Sequence, residues 1–255
     1  MWVSSGIGDI LKRVFITGAS GGIGSAVAKK FLNNGYFVIA QYNTDENGIN
    51  SLIEYAKSIG ASDNVFTVKA DLSKTENVLE MLDGVTKCFK SVDVIVNNAG
   101  VGLYKLITST SPEEWDKLFT VNVKSAYLIN NAFISGMVNR GYGKIVNVSS
   151  MWGKVGASME VAYSASKSAL IGYTKALAKE LACSNINVNC ICPGVIDTKM
   201  NARFTKEDIE ELKSQTPLGK IGTPEDVAEL VWFLSDDSSN FITGEVITVD
   251  GGFSL

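Results

Sequence analysis

The sequence predicts an open, doubly wound α/β fold: a parallel sheet of about seven strands with helices on both faces. Three observations carry this expectation. Short runs rich in β-branched residues alternate with helical periodicity along the whole 255-residue chain. The strand-like runs number seven, whereas closure into a parallel barrel takes about eight. A glycine-rich turn follows directly on the first run, at a strand-to-helix junction.

The strand-like runs fall at 13–17, 36–42, 65–69, 92–97, 144–149, 186–191 and 246–249. Helical periodicity occupies 22–34, 47–59, 74–89, 112–119, 123–140, 161–183 and 224–235. Ser73, Ser111 and the pair Thr223-Pro224 supply helix-start signals. No linker, internal repeat or low-complexity tract interrupts the pattern, so residues 13–255 read as one domain. Three of the four prolines, Pro193, Pro217 and Pro224, fall in the last quarter. There, 196–222 reads as irregular and as a candidate lid over a substrate. Residues 1–12 precede the first strand and carry Trp2, Ile7, Ile10 and Leu11. They either pack on the sheet edge or form an extension outside the fold.

Composition narrows the function. Apolar residues make up 45% of the chain, enough for a substantial core. The net charge of -4 offers no general attraction to nucleic acid or to an anionic membrane. No run of apolar residues is long enough to span a bilayer, and the N-terminus lacks a secretory pattern, so a cytoplasmic protein is expected. Cys88, Cys183, Cys190 and Cys192 contain no C-x-x-C spacing and read as reduced thiols rather than a disulfide or zinc scaffold. There is no histidine. Every imidazole-based acid, base, nucleophilic triad or metal ligand is thereby removed, no metal is expected, and proton chemistry is left to Tyr, Lys, Asp, Glu or Cys.

The turn after the first strand reads Thr17-Gly18-Ala19-Ser20-Gly21-Gly22-Ile23-Gly24. Glycines here let a backbone approach a pyrophosphate, while the helix N-terminus offers unpaired N–H groups and partial positive charge. The bland alternative is an ordinary tight turn. At the end of the second strand an acid would hold the ribose 2′-hydroxyl of NAD, and a nearby basic residue would accept the 2′-phosphate of NADP. The strand ends Gln41-Tyr42-Asn43-Thr44, Asp45 lies just beyond, and the glycine turn holds no Arg or Lys. The choice stays open, and the missing acid at Gln41 and Tyr42 leans it toward NADP(H) over NAD(H).

Tyr163 and Lys167 are spaced i,i+4 in a helical pattern, so both emerge on one face. An ammonium beside a phenol favours the phenolate, bringing the tyrosine toward the working range of an acid/base catalyst. With 8 tyrosines in the chain, chance alone supplies about 0.6 such Tyr/Lys pairs. Ser150 stands at the C-terminal end of the fifth strand, where open sheets bind ligands. It is either a turn former or a hydroxyl that polarises a substrate carbonyl.

Taken together, these residues resemble the single-domain short-chain dehydrogenase/reductases, a family with a Rossmann-type fold, over about residues 12–252. The glycine turn is similar to that family's cofactor motif, Asp71-Leu72 to its adenine contact, and Asn97-Asn98-Ala99-Gly100 to its sheet-stabilising, cofactor-lining segment. Asn122, Ser150, Tyr163 and Lys167 match its tetrad, and Pro193-Gly194-Val195-Ile196-Asp197-Thr198 its nicotinamide-side loop. The resemblance implies cofactor contacts from Gly18, Ser20, Gly21, Gly22, Ile23, Gly24, Tyr42, Asn43, Asp71, Leu72, Asn98, Ala99, Gly100, Tyr163, Lys167, Pro193, Gly194, Ile196 and Thr198. By the same token Tyr163 protonates the substrate oxygen, Ser150 orients it, Lys167 holds the nicotinamide ribose, and Asn122 anchors a water that resupplies protons. The plain alternative for Asn98 and Asn122 is an amide satisfying backbone groups; for Asp71 it is a cap before Ser73.

The stretch from Pro217 to Ala228, with Phe241-Ile242-Thr243-Gly244 and Val249-Asp250-Gly251-Gly252, resembles the 3-oxoacyl-[acyl-carrier-protein] reductases of fatty acid biosynthesis. Gly141 and Ser184 stand where members that dock the acidic carrier protein have basic residues. A second resemblance, carried by Ser150-Met-Trp-Gly-Lys-Val-Gly-Ala-Ser158 and Glu160-Val-Ala-Tyr163, is to bacterial reductases of 5-aminopentanone on elongation factor P. Trp152 and Glu160 would there meet a cationic amine through a ring face and a carboxylate, or else serve as a packing residue and a helix-start acid. Substrate contacts are thus expected from Ser150, Trp152 and Tyr163, with acyl carrier protein or elongation factor P as partner. The resemblance also implies a homotetramer. A nicotinamide-sensing binding protein without chemistry is the competing class.

Overall fold

The computed structural model describes residues 11–202 and 204–255; the readings for Trp2, Ile7 and Ile10 lie outside them. Seven strands, β1 (Arg13–Ile16), β2 (Phe37–Tyr42), β3 (Val65–Lys69), β4 (Val94–Asn97), β5 (Gly143–Val148), β6 (Ile186–Pro193) and β7 (Val246–Val249), form one sheet among the described residues. Every pairing is parallel, in the order β3-β2-β1-β4-β5-β6-β7. A sheet buried on both faces needs apolar side chains at consecutive positions, because alternate residues point to opposite sides. The inner strands β1, β2 and β4 obey this most fully. Val14, Ile16, Val38, Ala40, Val94, Val96, Val146 and Val148 face one core layer, and Phe15, Ile39, Ile95 and Ile145 face the other.

The first layer is covered by α1 (Gly22–Asn33), α2 (Glu46–Ser58) and α9 (Pro224–Ser235), through Val27, Phe31, Leu52, Val227 and Val231. The second is covered by α3 (Thr75–Cys88), α5 (Ser125–Arg140) and α7 (Val161–Leu181), through Val78, Leu82, Ile129, Phe133 and Leu177. Each fully buried aliphatic side chain of this kind contributes about 1.5–3 kcal/mol of transfer free energy. Among the described residues no helix is long and apolar enough to cross a membrane.

Three elements depart from the expected pattern. Residues 196–222, expected to be irregular, contain α8 (Lys206–Gln215), which buries no residue and so leaves no apolar stripe in the sequence. It is held at its start by a capping box between Thr205 and Asp208. A single turn, α6 (Trp152–Val155), follows β5; four residues are too few to show helical periodicity. Finally, α4 (Pro112–Phe119) runs into α5 through a π-helical turn, Thr120–Lys124, which holds Asn122.

The chain order β1-β2-β3 walks outward on one side of β1, and β4 starts again on the other side. Loops leaving the C-terminal ends of β1 and β4 therefore diverge and open a crevice. Buried amides fix its floor. Asn97, the last residue of β4, donates to Asn147 of β5 at 2.8 Å and to Asn130 of α5 at 3.0 Å, and Asn147 donates to Thr174 of α7 at 2.9 Å. Gln41 is 1% exposed. Its Nε2 donates to the Ala70 carbonyl at 2.8 Å and its Oε1 accepts from the Gly18 N–H at 2.9 Å. The place where an acid would contact a ribose is thus used to hold the glycine turn against the sheet. Gln41→Ala leaves both backbone groups unpaired and is expected to lower stability by about 1–3 kcal/mol, measurable as a lower denaturant midpoint.

Candidate active site

A cleft of about 780 Å³ opens over the C-terminal ends of the central strands. At its floor the turn Thr17 to Gly24 enters α1 with two constraints that only glycine meets. Gly18 has φ +65°, and a Cβ on Gly24 would fall 2.1 Å from the Gly18 carbonyl oxygen. The α1 N-terminus has no side-chain cap and no acid in its first turn, whereas α4, α8 and α9 each begin with a capping box. Unpaired amides and the positive end of the helix dipole therefore face the cleft, an arrangement that fits the pyrophosphate of a dinucleotide.

Beside the glycine turn, Asn43, Asp71 and Leu72 line the wall, joined by Gln41, Thr44 and Asp45. Asp71 accepts from the Ser73 hydroxyl at 2.7 Å and from its N–H at 3.0 Å, which holds the carboxyl below the ordinary aspartate range. Tyr42 was expected there and is not; it packs half-buried against the α1/α2 core layer, because alternation along β2 turns its side chain away from the wall. Asn98 crosslinks the β1 and β4 loops. Its side-chain amide donates to the Thr17 carbonyl at 2.9 Å, while Thr17 Oγ1 accepts from the N–H groups of Asn98 and Ala99, both at 2.9 Å. Ser20, Gly21, Gly22, Ile23, Ala99 and Gly100 complete this half, and Pro193, Gly194, Ile196 and Thr198 line the other.

The other half converges on α7. Tyr163 and Lys167 both line the cleft, with the Lys167 ammonium 5.8 Å from the Tyr163 ring centroid. Lys167 is 3% exposed, and its Nζ donates to the Val148 carbonyl at 2.9 Å. Burial lowers its pKa from 10.5 to about 8. Space for it is made by glycine: a Cβ on Gly100 would sit 3.1 Å from Nζ, and one on Gly153 would sit 2.9 Å from the Lys167 carbonyl carbon. Ser149 Oγ donates to the Lys167 carbonyl at 2.8 Å, tying β5 to α7 at this turn. Ser150 stands beside it on the wall, 7% exposed, and its hydroxyl accepts from the Trp152 N–H at 3.2 Å.

Asn122 lies behind the cleft wall rather than on it. Its Oδ1 accepts from the Val101 N–H at 2.8 Å, and its Nδ2 donates to the Val101 carbonyl at 3.0 Å and to Ser166 Oγ at 2.9 Å. It locks the loop after β4 to the helix carrying Tyr163 and is a positioning residue. It sits within the π turn that joins α4 to α5. Trp152 lines the cleft and meets Phe253 edge to face at 5.6 Å. Glu160, 7% exposed, lines it one turn before Tyr163; Met159, just before it, has φ +61°, a conformation rare for a side-chain-bearing residue. Lys199, Met200, Asn201, Phe204 and Leu212, all within 196–222, also line the cleft. No local pattern announces them, because an exposed helix and loop leave no periodic burial. Among the described residues no group of His, Cys, Asp or Glu gathers as a metal site. The cleft thus joins an anion-binding helix start to a phenol, a buried ammonium and a hydroxyl, the groups needed to bind a dinucleotide and move a proton at a carbonyl oxygen.

The sequence profile of a family described as enoyl-(acyl carrier protein) reductase matches residues 18–254. The chain is similar to the uncharacterized oxidoreductase YmfI of Bacillus subtilis, 35% identical over 242 residues that cover 95% of this chain and 98% of that protein. It is similar to the 3-oxoacyl-[acyl-carrier-protein] reductase FabG of Thermotoga maritima, 36% identical and covering 96% of this chain and 98% of that one. Among solved structures it is similar to a blue fluorescent protein from a metagenomic library in complex with NADPH, with a TM-score of 0.88 and 30% identity over 96% of this chain and 98% of that chain.

The burial of Lys167 has a measurable cost. Between pH 8 and 10.5 the unfolded chain binds the proton that the folded chain has lost, so stability rises with pH across that window, and below about pH 8 the full burial cost is present. Lys167→Met is expected to unfold at a higher temperature than the parent at neutral pH, with the gap closing toward pH 10.5; thermal melts across that range check it.

Proposed function

This chain belongs to the short-chain dehydrogenase/reductase family, and from that premise we propose that it is a nicotinamide-dependent carbonyl reductase that converts a ketone to a secondary alcohol. The observation that carries the reading is the pairing of Tyr163 with the buried Lys167 on the cleft wall beside Ser150. A reduced nicotinamide bound in the cleft would supply the hydride to the carbonyl carbon. Ser150 donates to the carbonyl oxygen and fixes its direction. Tyr163 passes its proton to that oxygen, and the Lys167 ammonium stabilises the phenolate left behind. Asn122, through Ser166 and the Val101 backbone, keeps the helix and the loop in register while this happens.

For the substrate we propose a 3-oxoacyl thioester borne by acyl carrier protein, supported by the likeness to FabG and by the apolar lid residues Met200, Phe204 and Leu212 on the cleft wall. A second reading, reduction of an amino-ketone such as 5-aminopentanone on elongation factor P, is favoured by one feature. A carboxylate, Glu160, is buried on the same wall as Trp152, and a cationic amine would complement it. Arg140, one of the few cations near the helix ends where a carrier would dock, is engaged with the Val92 carbonyl at 2.7 Å and with Asp93. The proposal extends to a cytoplasmic homotetramer, which would cover Tyr127 and Val138 on α5 and the exposed Phe241.

Tyr163→Phe should abolish ketone reduction, by at least about a hundredfold, while cofactor titrations stay unchanged; near-normal turnover would refute the proton-donor role. Because the ammonium of Lys167 is required and is lost above about pH 8, kcat should fall as pH rises through that value. Competition between a 3-oxoacyl thioester and an amino-ketone separates the substrates, and Glu160→Gln should slow only the amino-ketone.

A further inference from the structure

The end of β2 is where an adenosine ribose is read in sheets of this type, and the tertiary structure places there a pair that no sequence window contains. Asp45 Oδ2 accepts from Lys199 Nζ at 2.9 Å, across 154 positions of chain. Both residues line the cleft.

Asp45 is held rigidly. Its Oδ1 caps α2 by accepting from the Gly48 N–H at 2.9 Å, and Gly48 itself abuts the glycine turn, since a Cβ there would fall 2.3 Å from the Ser20 carbonyl oxygen. Lys199 is 82% exposed at its side chain, against 29% for Asp45. Its backbone is anchored while its side chain stands largely in solvent. Thr198 packs on Gly22, where a Cβ would lie 2.8 Å from Thr198 Cγ2, and Asn201 Nδ2 donates to the Ile196 carbonyl at 2.7 Å. One anchored cation and one fixed anion thus meet at the ribose end. A 2′-phosphate would compete with the carboxylate for the ammonium, and it would be repelled by that carboxylate alone; a 2′-hydroxyl needs only the carboxylate as acceptor.

We propose that Lys199 and Asp45 together select the adenosine 2′-substituent of the cofactor, Lys199 conferring preference for the 2′-phosphate of NADP(H) and Asp45 opposing it. The proposal deepens, and rests on, the reading of the cleft as a nicotinamide dinucleotide site. It also makes the selector part of the lid, so that a 2′-phosphate and the substrate cover are engaged through adjacent residues.

The test is direct binding of NADPH and NADH to the full chain, followed by nicotinamide fluorescence in the absence of any ketone. The parent should bind NADPH more tightly. Lys199→Gln should raise the NADPH Kd about five- to tenfold and leave NADH within about twofold. Asp45→Ser, which keeps an oxygen to cap α2, should tighten NADPH and weaken NADH. The preference should also shrink at high salt, because the pair is exposed. Loss of both cofactors in equal measure in Lys199→Gln, or no change in either, would overturn the selector while leaving the dinucleotide site standing. A parent that binds neither cofactor would overturn the site reading itself, and the selector with it.

Discussion

An ammonium kept out of water is the constraint around which the cleft is organised. Lys167 is buried on α7 with the Val148 carbonyl as its hydrogen-bond acceptor, and burial, partly offset by Cys190 and Cys192, brings its pKa down to about 8. Such a group is unfavourable for folding and useful for chemistry, because a cation in a poorly solvated site stabilises a nearby oxyanion far more than it would in water. The neighbouring structure accommodates it. Gly100 and Gly153 leave the room, Ser149 holds the helix backbone, and Asn122 fixes the loop that bears Gly100.

Close backbone approach is the second theme. The glycine turn works because Gly24 sits against the Gly18 carbonyl, Gly22 against Thr198 and Gly48 against Ser20. Through these contacts the α1 N-terminus, the segment at Thr198 and the start of α2 enclose one volume, with the uncapped amides of α1 at its floor. The same closeness brings Asp45 and Lys199 together. Cofactor recognition is in this sense a property of three loops from distant parts of the chain, held in register by a sheet buried on both faces.

Much of the site is legible in the sequence. The i,i+4 spacing of Tyr163 and Lys167 places both on one helix face, and the glycine turn announces itself by its position after β1. Other features are not legible, each for a physical reason. Gln41 stands where an acid was sought, yet its amide is consumed in holding Gly18 and Ala70. Tyr42 follows the strand's alternation into the core layer. Helix α8 is stabilised by its cap and by nothing it buries, so apolar periodicity could not reveal it.

By itself the sequence determined the alternation of strands and helices, the parallel sheet, the absence of imidazole chemistry and the shared helix face of Tyr163 and Lys167. All of these follow from local periodicity, spacing and residue type. Tertiary structure alone decided which cation meets Asp45, how deeply Lys167 is buried, that Asn122 stands behind the wall, and that Glu160 faces the cleft. Those depend on contacts between residues far apart in the chain, and no local pattern encodes the distance between two side chains that only the assembled sheet brings together.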